Sequence, residues 1–112
     1  MREILLDFIE GTVRLKTYEI LYIESFRHKI LFHTIGGEYH IYKSLKEIGK
    51  MLDDSGFLRI HRSYIVNPRS MKMVKNYETM LDNGTILPIS KAKYKEVKAL
   101  YRLDLSGGAV QP

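Results

Sequence analysis

Apolar and polar residues alternate along the first third of the chain with the two-residue period of β-strands. In the first segment Ile4, Leu6 and Phe8 share one side, and Glu10-Gly11 follows as a turn. Three further segments of strand-like composition lie at 13–16, 20–26 and 30–34. This pattern predicts a series of short antiparallel strands.

The glycine pair Gly36-Gly37 predicts a two-residue hairpin loop, because both positions tolerate positive φ. Such a loop would pair His33 with His40 and Phe32 with Ile41 across the hairpin. Two cross-strand histidines are compatible with a metal site, but a third ligand is not evident. A half-exposed aromatic pair on a sheet is the favoured interpretation, so no metal or cofactor is predicted.

Two short helices are predicted in the remainder of the chain. Ser44 and Glu47 have the spacing of a capping box, and the helix that they start should end near 53–56. Ser90 is predicted to cap the second helix. The apolar stripe of that helix comprises Tyr94, Val97, Leu100 and Tyr101.

The second half also contains a strong hairpin signal, Asp82-Asn83-Gly84, between two strand-like segments. In total the chain has about eight or more short strands, which predicts a mostly β fold with antiparallel hairpins and two short α-helices. Its 112 residues are sufficient for one domain. That domain is predicted over 1–105, followed by a disordered tail at 106–112.

The segment 56–67 combines an apolar framework, suited to a core, with cationic and hydrogen-bonding side chains. The residues that interrupt the apolar run are Arg59, His61, Arg62 and Ser63. No carboxylate occurs between Gly56 and Tyr77, so these cations have no acidic partner nearby in sequence. The segment is suited to present positive charge to an anionic ligand.

Charge is distributed unevenly between the two halves of the chain. The net charge is +5 overall, −1 over residues 1–55 and +6 over residues 56–112. A basic half indicates a polyanion such as nucleic acid or an acidic membrane surface. The alternative is a set of lysines that only face water.

The sequence gives no support for an enzyme. It lacks phosphate-binding loops, dinucleotide-binding glycine patterns, zinc-protease motifs and nucleophile elbows. The absence of cysteine fits a reducing compartment. No signal peptide or long apolar run is present, so we expect a cytoplasmic protein without membrane association.

Several segments, in this order along the chain, are similar to one protein family. They are 20–25, 41–47, 57–67, 83–84 and 87–91. Through them the chain resembles the LytTR family of bacterial DNA-binding domains, the output modules of many response regulators. The resemblance covers roughly residues 9–103. It implies an elongated arrangement of small antiparallel sheets with short helices.

The resemblance also implies DNA binding without a recognition helix, through loops that enter successive major grooves on one face of the duplex. The implied contact residues are Arg27, His28 and Lys29 in a first loop, Arg62 and Ser63 in a second, and Lys91, Ala92 and Lys93 in a third. His28 and Arg62 are the expected base readers, since an arginine fork can pair with guanine. Ala92 stands where some family members have a base-reading arginine, and it can offer only a methyl contact.

The predicted function is sequence-specific binding of double-stranded DNA in transcription regulation. The resemblance implies tandem direct repeats bound by two copies, with a receiver or sensory domain in cis if the chain is a fragment. A stand-alone regulator is the other possibility. The alternative function is a non-catalytic basic β-rich module that binds RNA or a protein.

Overall fold

The computed structural model describes residues 2–106, which form ten strands and two α-helices. The predicted mostly β fold, with small antiparallel sheets and two helices, is confirmed. The molecule is elongated, extending 43 × 29 × 25 Å along its principal axes. No helix in residues 2–106 has the length and apolar character needed to cross a membrane. Ser106 ends the second helix, and the rest of the predicted tail, 107–112, lies outside the described residues.

The strands are β1 (Glu3–Phe8), β2 (Gly11–Lys16), β3 (Ile20–Phe26), β4 (Lys29–Thr34), β5 (Gly37–Ile41), β6 (Leu58–His61), β7 (Tyr64–Val66), β8 (Met71–Lys75), β9 (Glu78–Leu81) and β10 (Ile86–Pro88). The helices are α1 (Leu45–Met51) and α2 (Tyr94–Ser106). The strands form a β1-β2 hairpin, a central sheet of order β5-β4-β3-β7-β6, and a small sheet of order β10-β9-β8. All neighbouring strands are antiparallel.

The central sheet packs against one core on each face, and the second core covers β3, β6 and β7. On one face Ile23 and Phe32 pack in a first core with residues from β1, β2 and α1. On the other face Val66 and Ile60 pack in a second core with residues from β8–β10 and α2. Because one sheet separates the two cores, the ends of its strands have fixed positions relative to every other element.

The hairpin between β4 and β5 differs from its predicted form by one residue. The turn is Ile35-Gly36, and Gly37, at φ +135°, is already paired with Thr34. The predicted pairing of His33 with His40 is therefore wrong, since His33 lies opposite Glu38. The Thr34 hydroxyl stabilises this turn by donating to the Gly37 carbonyl at 2.7 Å.

The two predicted helix starts have different outcomes. The capping box at α1 is confirmed, with the Ser44 hydroxyl and the Glu47 carboxylate each accepting from the other residue's backbone amide. Ser90 is not the cap of α2, which begins one turn later at Tyr94. The Ser90 amide instead donates to the Ile60 carbonyl at 2.9 Å, and this bond holds Ser90 beside β6.

Asn67→Ala should destabilise the domain by about 2–3 kcal/mol, because Asn67 is buried and its side chain joins two elements. Its amide nitrogen donates to the Ile20 carbonyl at 3.0 Å, and its oxygen accepts from the Arg69 amide. Urea unfolding measures the loss. Asn83→Ala is the control, since that exposed side chain also accepts a backbone bond. Equal losses in the two variants would contradict the prediction.

Glu47→Gln should make the free energy of unfolding depend less on pH in the acid range. The Ser44 backbone amide, followed by its hydroxyl, lowers the pKa of Glu47. The ionised carboxylate therefore stabilises the fold above the ordinary pKa of about 4.3, and this contribution disappears as pH falls through the lowered value. Between about pH 5 and pH 3 the variant should lose less stability than the wild type. Urea midpoints that fall in parallel would refute this.

Candidate nucleic-acid interface

Two hairpin turns lie side by side at one end of the central sheet. The first, Arg27-His28, joins β3 to β4, and the second, Arg62-Ser63, joins β6 to β7. Because β7 runs antiparallel to β3, the start of one strand lies beside the end of the other. The Ser25 amide donates to the Ser63 carbonyl at 2.9 Å and links the two turns directly.

The first turn holds two non-glycine residues in the left-handed region, Arg27 at φ +49° and His28 at φ +68°. This is the backbone of a tight two-residue turn that normally favours Asn and Gly. Both side chains are exposed, and the Arg27 guanidinium lies 5.4 Å from the centre of the Phe26 ring. Lys29, half-buried, pairs with Phe26 at the start of β4.

The second turn is braced by a neighbouring arginine. Arg59 donates from Nε to the His61 carbonyl and from Nη2 to the Arg62 carbonyl, each at 3.0 Å. The Ser63 amide donates to His61 Nδ1 at 3.1 Å, in agreement with a structural role for that histidine. These bonds leave the exposed Arg62 side chain at the tip of a fixed turn.

A polar network supports the second turn from within the sheet. His33 lies between two carboxylates, with Nε2 2.8 Å from Glu24 and Nδ1 3.0 Å from Glu38. Its ring stacks on Tyr22 at 4.1 Å. Burial raises the pKa of the Tyr64 phenol, and the charge of Glu24 and a hydrogen bond to it raise that pKa further. Glu24 thus connects β4 with Tyr64, the residue that follows the turn.

The third predicted loop lies beyond the edge of β6. The bond from the Ser90 amide to Ile60 fixes its beginning, and the Lys93 amide donates back to the Ser90 carbonyl at 3.0 Å. Lys91 and Ala92 are exposed in this turn, whereas Lys93 is half-buried. Across the sheet the predicted loops therefore follow in the order first, second, third, with Ser90 beside the part of β6 that leads into the Arg62-Ser63 turn.

A groove of about 640 Å³ lies beside the first two turns and the start of α1. His28 and Arg62 both line it, together with Arg59 and with two lysines that the sequence analysis did not select, Lys43 and Lys46. No local signal marks these two lysines, because they come from the residues around the start of α1. Only the folded chain brings them beside His28.

Within residues 2–103 no Lys or Arg of this surface forms an ion pair within 4.0 Å, although Glu47 also lines the groove and its charge interacts with Lys43. Among residues 2–103, which include all 18 Lys and Arg residues, the ion pairs within 4.0 Å involve only His33 and His40. The same part of the chain contains no cluster of His, Cys, Asp and Glu that could hold a metal ion. Four Lys and Arg side chains and one carboxylate line the groove, so its net charge is positive and suits an anionic ligand.

The family model for the LytTr DNA-binding domain matches residues 10–102. The chain belongs to the LytTr DNA-binding domain family. A LytTr DNA-binding domain from a putative methyl-accepting/DNA response regulator of Bacillus cereus has the same fold, with a TM-score of 0.75 at 23% identity. That match covers 89% of this chain and 96% of the other.

Several bacterial regulators are similar in sequence to this LytTr domain. Sensory transduction protein LytT of Bacillus subtilis is 29% identical over 84% of the chain and 41% of its own length. Transcriptional regulatory protein LytR of Staphylococcus aureus is 31% identical over 76% of the chain and 37% of its own length. The CO-responsive transcriptional regulator RcoM of Rhodospirillum rubrum is 29% identical over 89% of the chain and 45% of its own length. The chain thus spans less than half the length of these relatives.

Membership of this family supports DNA binding in transcription regulation as the role of the domain. The family is a DNA-binding one, and an enzymatic activity is not expected of the chain. The resemblance identified from the sequence is thereby confirmed.

Arg59→Met should loosen the second turn without unfolding the sheet, because methionine keeps the apolar stem and loses both bonds to the turn carbonyls. We expect the amides of Ser25 and Ser63 to exchange about tenfold faster, as expected for losing a net hydrogen bond or two. Hydrogen exchange followed by NMR measures this. Arg69→Met, at another exposed arginine, is the control and should leave both amides unchanged.

Proposed function

We propose that this LytTr domain reads double-stranded DNA in a sequence-specific way through the three loops at one end of its central sheet. The observation that carries the proposal is the pairing of His28 and Arg62 on two rigid neighbouring turns that border one basic groove. Rigid turns reduce the entropy lost on binding, and unpaired cations attract the phosphate backbone. Specificity would come from the exposed tips.

Within this proposal the outer loops enter major grooves and the middle loop faces a minor groove. Three successive major grooves on one face span about 68 Å, two helical turns. That exceeds the 43 Å length of the molecule, so only the first and third loops can enter successive major grooves. The strand order puts Arg62 between them. There an arginine would favour the narrow minor groove of A·T-rich DNA, rather than the guanine expected from the sequence.

The other contact residues have supporting roles in this proposal. His28 donates to an acceptor on a base edge in the first major groove. Arg27, Lys29 and Ser63 contact phosphates and set the register. Lys91 and Lys93 do the same at the third loop, where Ala92 adds a methyl contact, for instance to thymine.

For the whole protein we propose a cytoplasmic regulator of transcription that binds tandem direct repeats as two copies. The relatives are more than twice as long as this chain, which supports a receiver or sensory domain in cis. Two domains bound one helical turn apart would lie on the same face of the duplex. An off-register spacing of the repeats should then remove cooperativity.

Binding of RNA or a protein through the same basic surface is the second candidate. The observation in its favour is Tyr42, which is 67% exposed and lines the groove, where a base could stack on it. Tyr22 and Tyr64, by contrast, pack against the second core and cannot stack on a ligand. A competition experiment distinguishes the two candidates. If the domain reads DNA sequence, its binding to one duplex sequence should persist in excess random duplex and in excess single-stranded RNA.

Selection from a random duplex pool, with sequencing at two salt concentrations, tests the proposal. The wild type should enrich a repeated motif. His28→Ala and Arg62→Ala should each relax selection at particular positions, by about 1–3 kcal/mol per base pair, and Arg62→Ala should act at an A·T-rich step. Arg14→Ala, at an exposed arginine of β2, is the control and should leave the motif intact. Steep salt dependence without any enriched motif would refute sequence readout.

A further inference from the structure

The turn between β8 and β9 holds Asn76 at φ +51° and Tyr77 at φ +62°. Asparagine is tolerated in this left-handed region, whereas a tyrosine there is an outlier. Among residues 2–106 only two turns hold non-glycine residues at positive φ, this one and the Arg27-His28 turn. Glycine occupies the positive-φ positions of the other hairpins, at Gly11, Gly37 and Gly84. Glycine at these two positions would avoid the backbone strain. The presence of Asn76 and Tyr77 instead indicates that their side chains have a function.

The Asn76-Tyr77 turn lies next to the third loop of the proposed interface. The Ile89 amide donates to the Tyr77 carbonyl at 2.8 Å, and the following Ser90 amide donates to Ile60 in β6. The chain at 89–90 therefore connects this turn to the end of the central sheet where the other loops project. The turn is therefore the next one beyond the third loop.

The Tyr77 side chain is oriented by packing on one side but remains partly exposed on the other. Its ring packs on Tyr94 with a centroid separation of 4.5 Å, and 46% of its surface is exposed. Within residues 2–103 no hydrogen bond is formed by the Tyr77 hydroxyl. An oriented and exposed donor without a partner is suited to an acceptor on a ligand.

The charge around this turn is positive. Lys75 precedes it, and Lys98 lies with Nζ 5.8 Å from the centre of the Tyr94 ring. Lys91 and Lys93 belong to the adjoining loop. Glu78 faces Lys75 across the hairpin, but no ion pair forms between them within 4.0 Å in the described residues. An anionic acceptor is therefore favoured at the Tyr77 hydroxyl.

We propose that the Asn76-Tyr77 turn is a fourth DNA contact, in which the Tyr77 hydroxyl donates to a backbone phosphate beside the third loop. The inference rests on the proposed function and extends it. A phosphate contact positions the domain without reading sequence, so its loss weakens binding to every duplex by the same factor. Tyrosine is neutral, and its loss leaves the salt dependence unchanged.

Two variants distinguish the contribution of the Tyr77 hydroxyl to binding from any effect of the backbone strain. Tyr77→Phe keeps the ring on Tyr94 and removes only the donor. Tyr77→Gly removes the ring and relaxes the positive φ, so its melting temperature should not fall for backbone reasons. Tyr18→Phe is the control, because Tyr18 is 52% exposed and precedes β3, at the opposite end from the Arg27-His28 turn.

Fluorescence anisotropy with the selected duplex and with a random duplex, at two salt concentrations, gives the result. We expect Tyr77→Phe and Tyr77→Gly each to weaken binding roughly 5- to 20-fold on both duplexes, with an unchanged specificity ratio and salt slope. Wild-type affinity in Tyr77→Phe, with the melting temperature unchanged, would overturn the inference. If Tyr77→Phe binds like the wild type but Arg62→Ala still relaxes the motif, the proposed function is supported and only the fourth contact is refuted. A wild type that binds no duplex overturns both.

Discussion

Strand β3 is hydrogen-bonded along both edges and buried on both faces, and the remaining elements are arranged around it. Its pairing with β4 and with β7 orients both hairpin turns toward the same end of the sheet. Ile23 contributes to the first core, and Tyr22, on the opposite face, packs against the second. A strand in this position cannot shift by one residue, because a shift would exchange the residues of the two cores.

The candidate interface is built from hydrogen-bonded turns and a few specific polar bonds rather than from a helix. Arg59 braces one turn, and a left-handed backbone shapes another. Two residues at positive φ cost free energy, of the order of 1–3 kcal/mol each. The two buried faces of the sheet supply the stability that tolerates this cost. In return, long cationic side chains start from fixed positions and lose less freedom when a ligand binds.

Local chemistry was sufficient to predict much of this molecule. The capping box of α1, the Asn83-Gly84 turn and most strands follow from side chains within a few residues of each other. The exposed turn at Arg27-His28 was also predictable from its position between two strands, whereas Lys29 is half-buried in β4. Predictions failed where a distant residue decided the outcome. The Ser90 amide is bonded to the Ile60 carbonyl, 30 positions earlier in the chain, and the chain passes through a turn before α2 begins at Tyr94.

The register of the β4-β5 hairpin has the same explanation. Either register satisfies the glycines locally, but only the observed one places His33 between Glu24 and Glu38. The sequence by itself determined the strand-rich fold class, the basic second half and the family, because these depend on residue order and composition. Tertiary structure alone decided which cations share a groove, since Lys43, Lys46 and Arg59 meet His28 only through strand pairing. It also decided which turns are neighbours, because hydrogen bonds between distant segments place Ser90 beside β6 and Ile89 beside Tyr77.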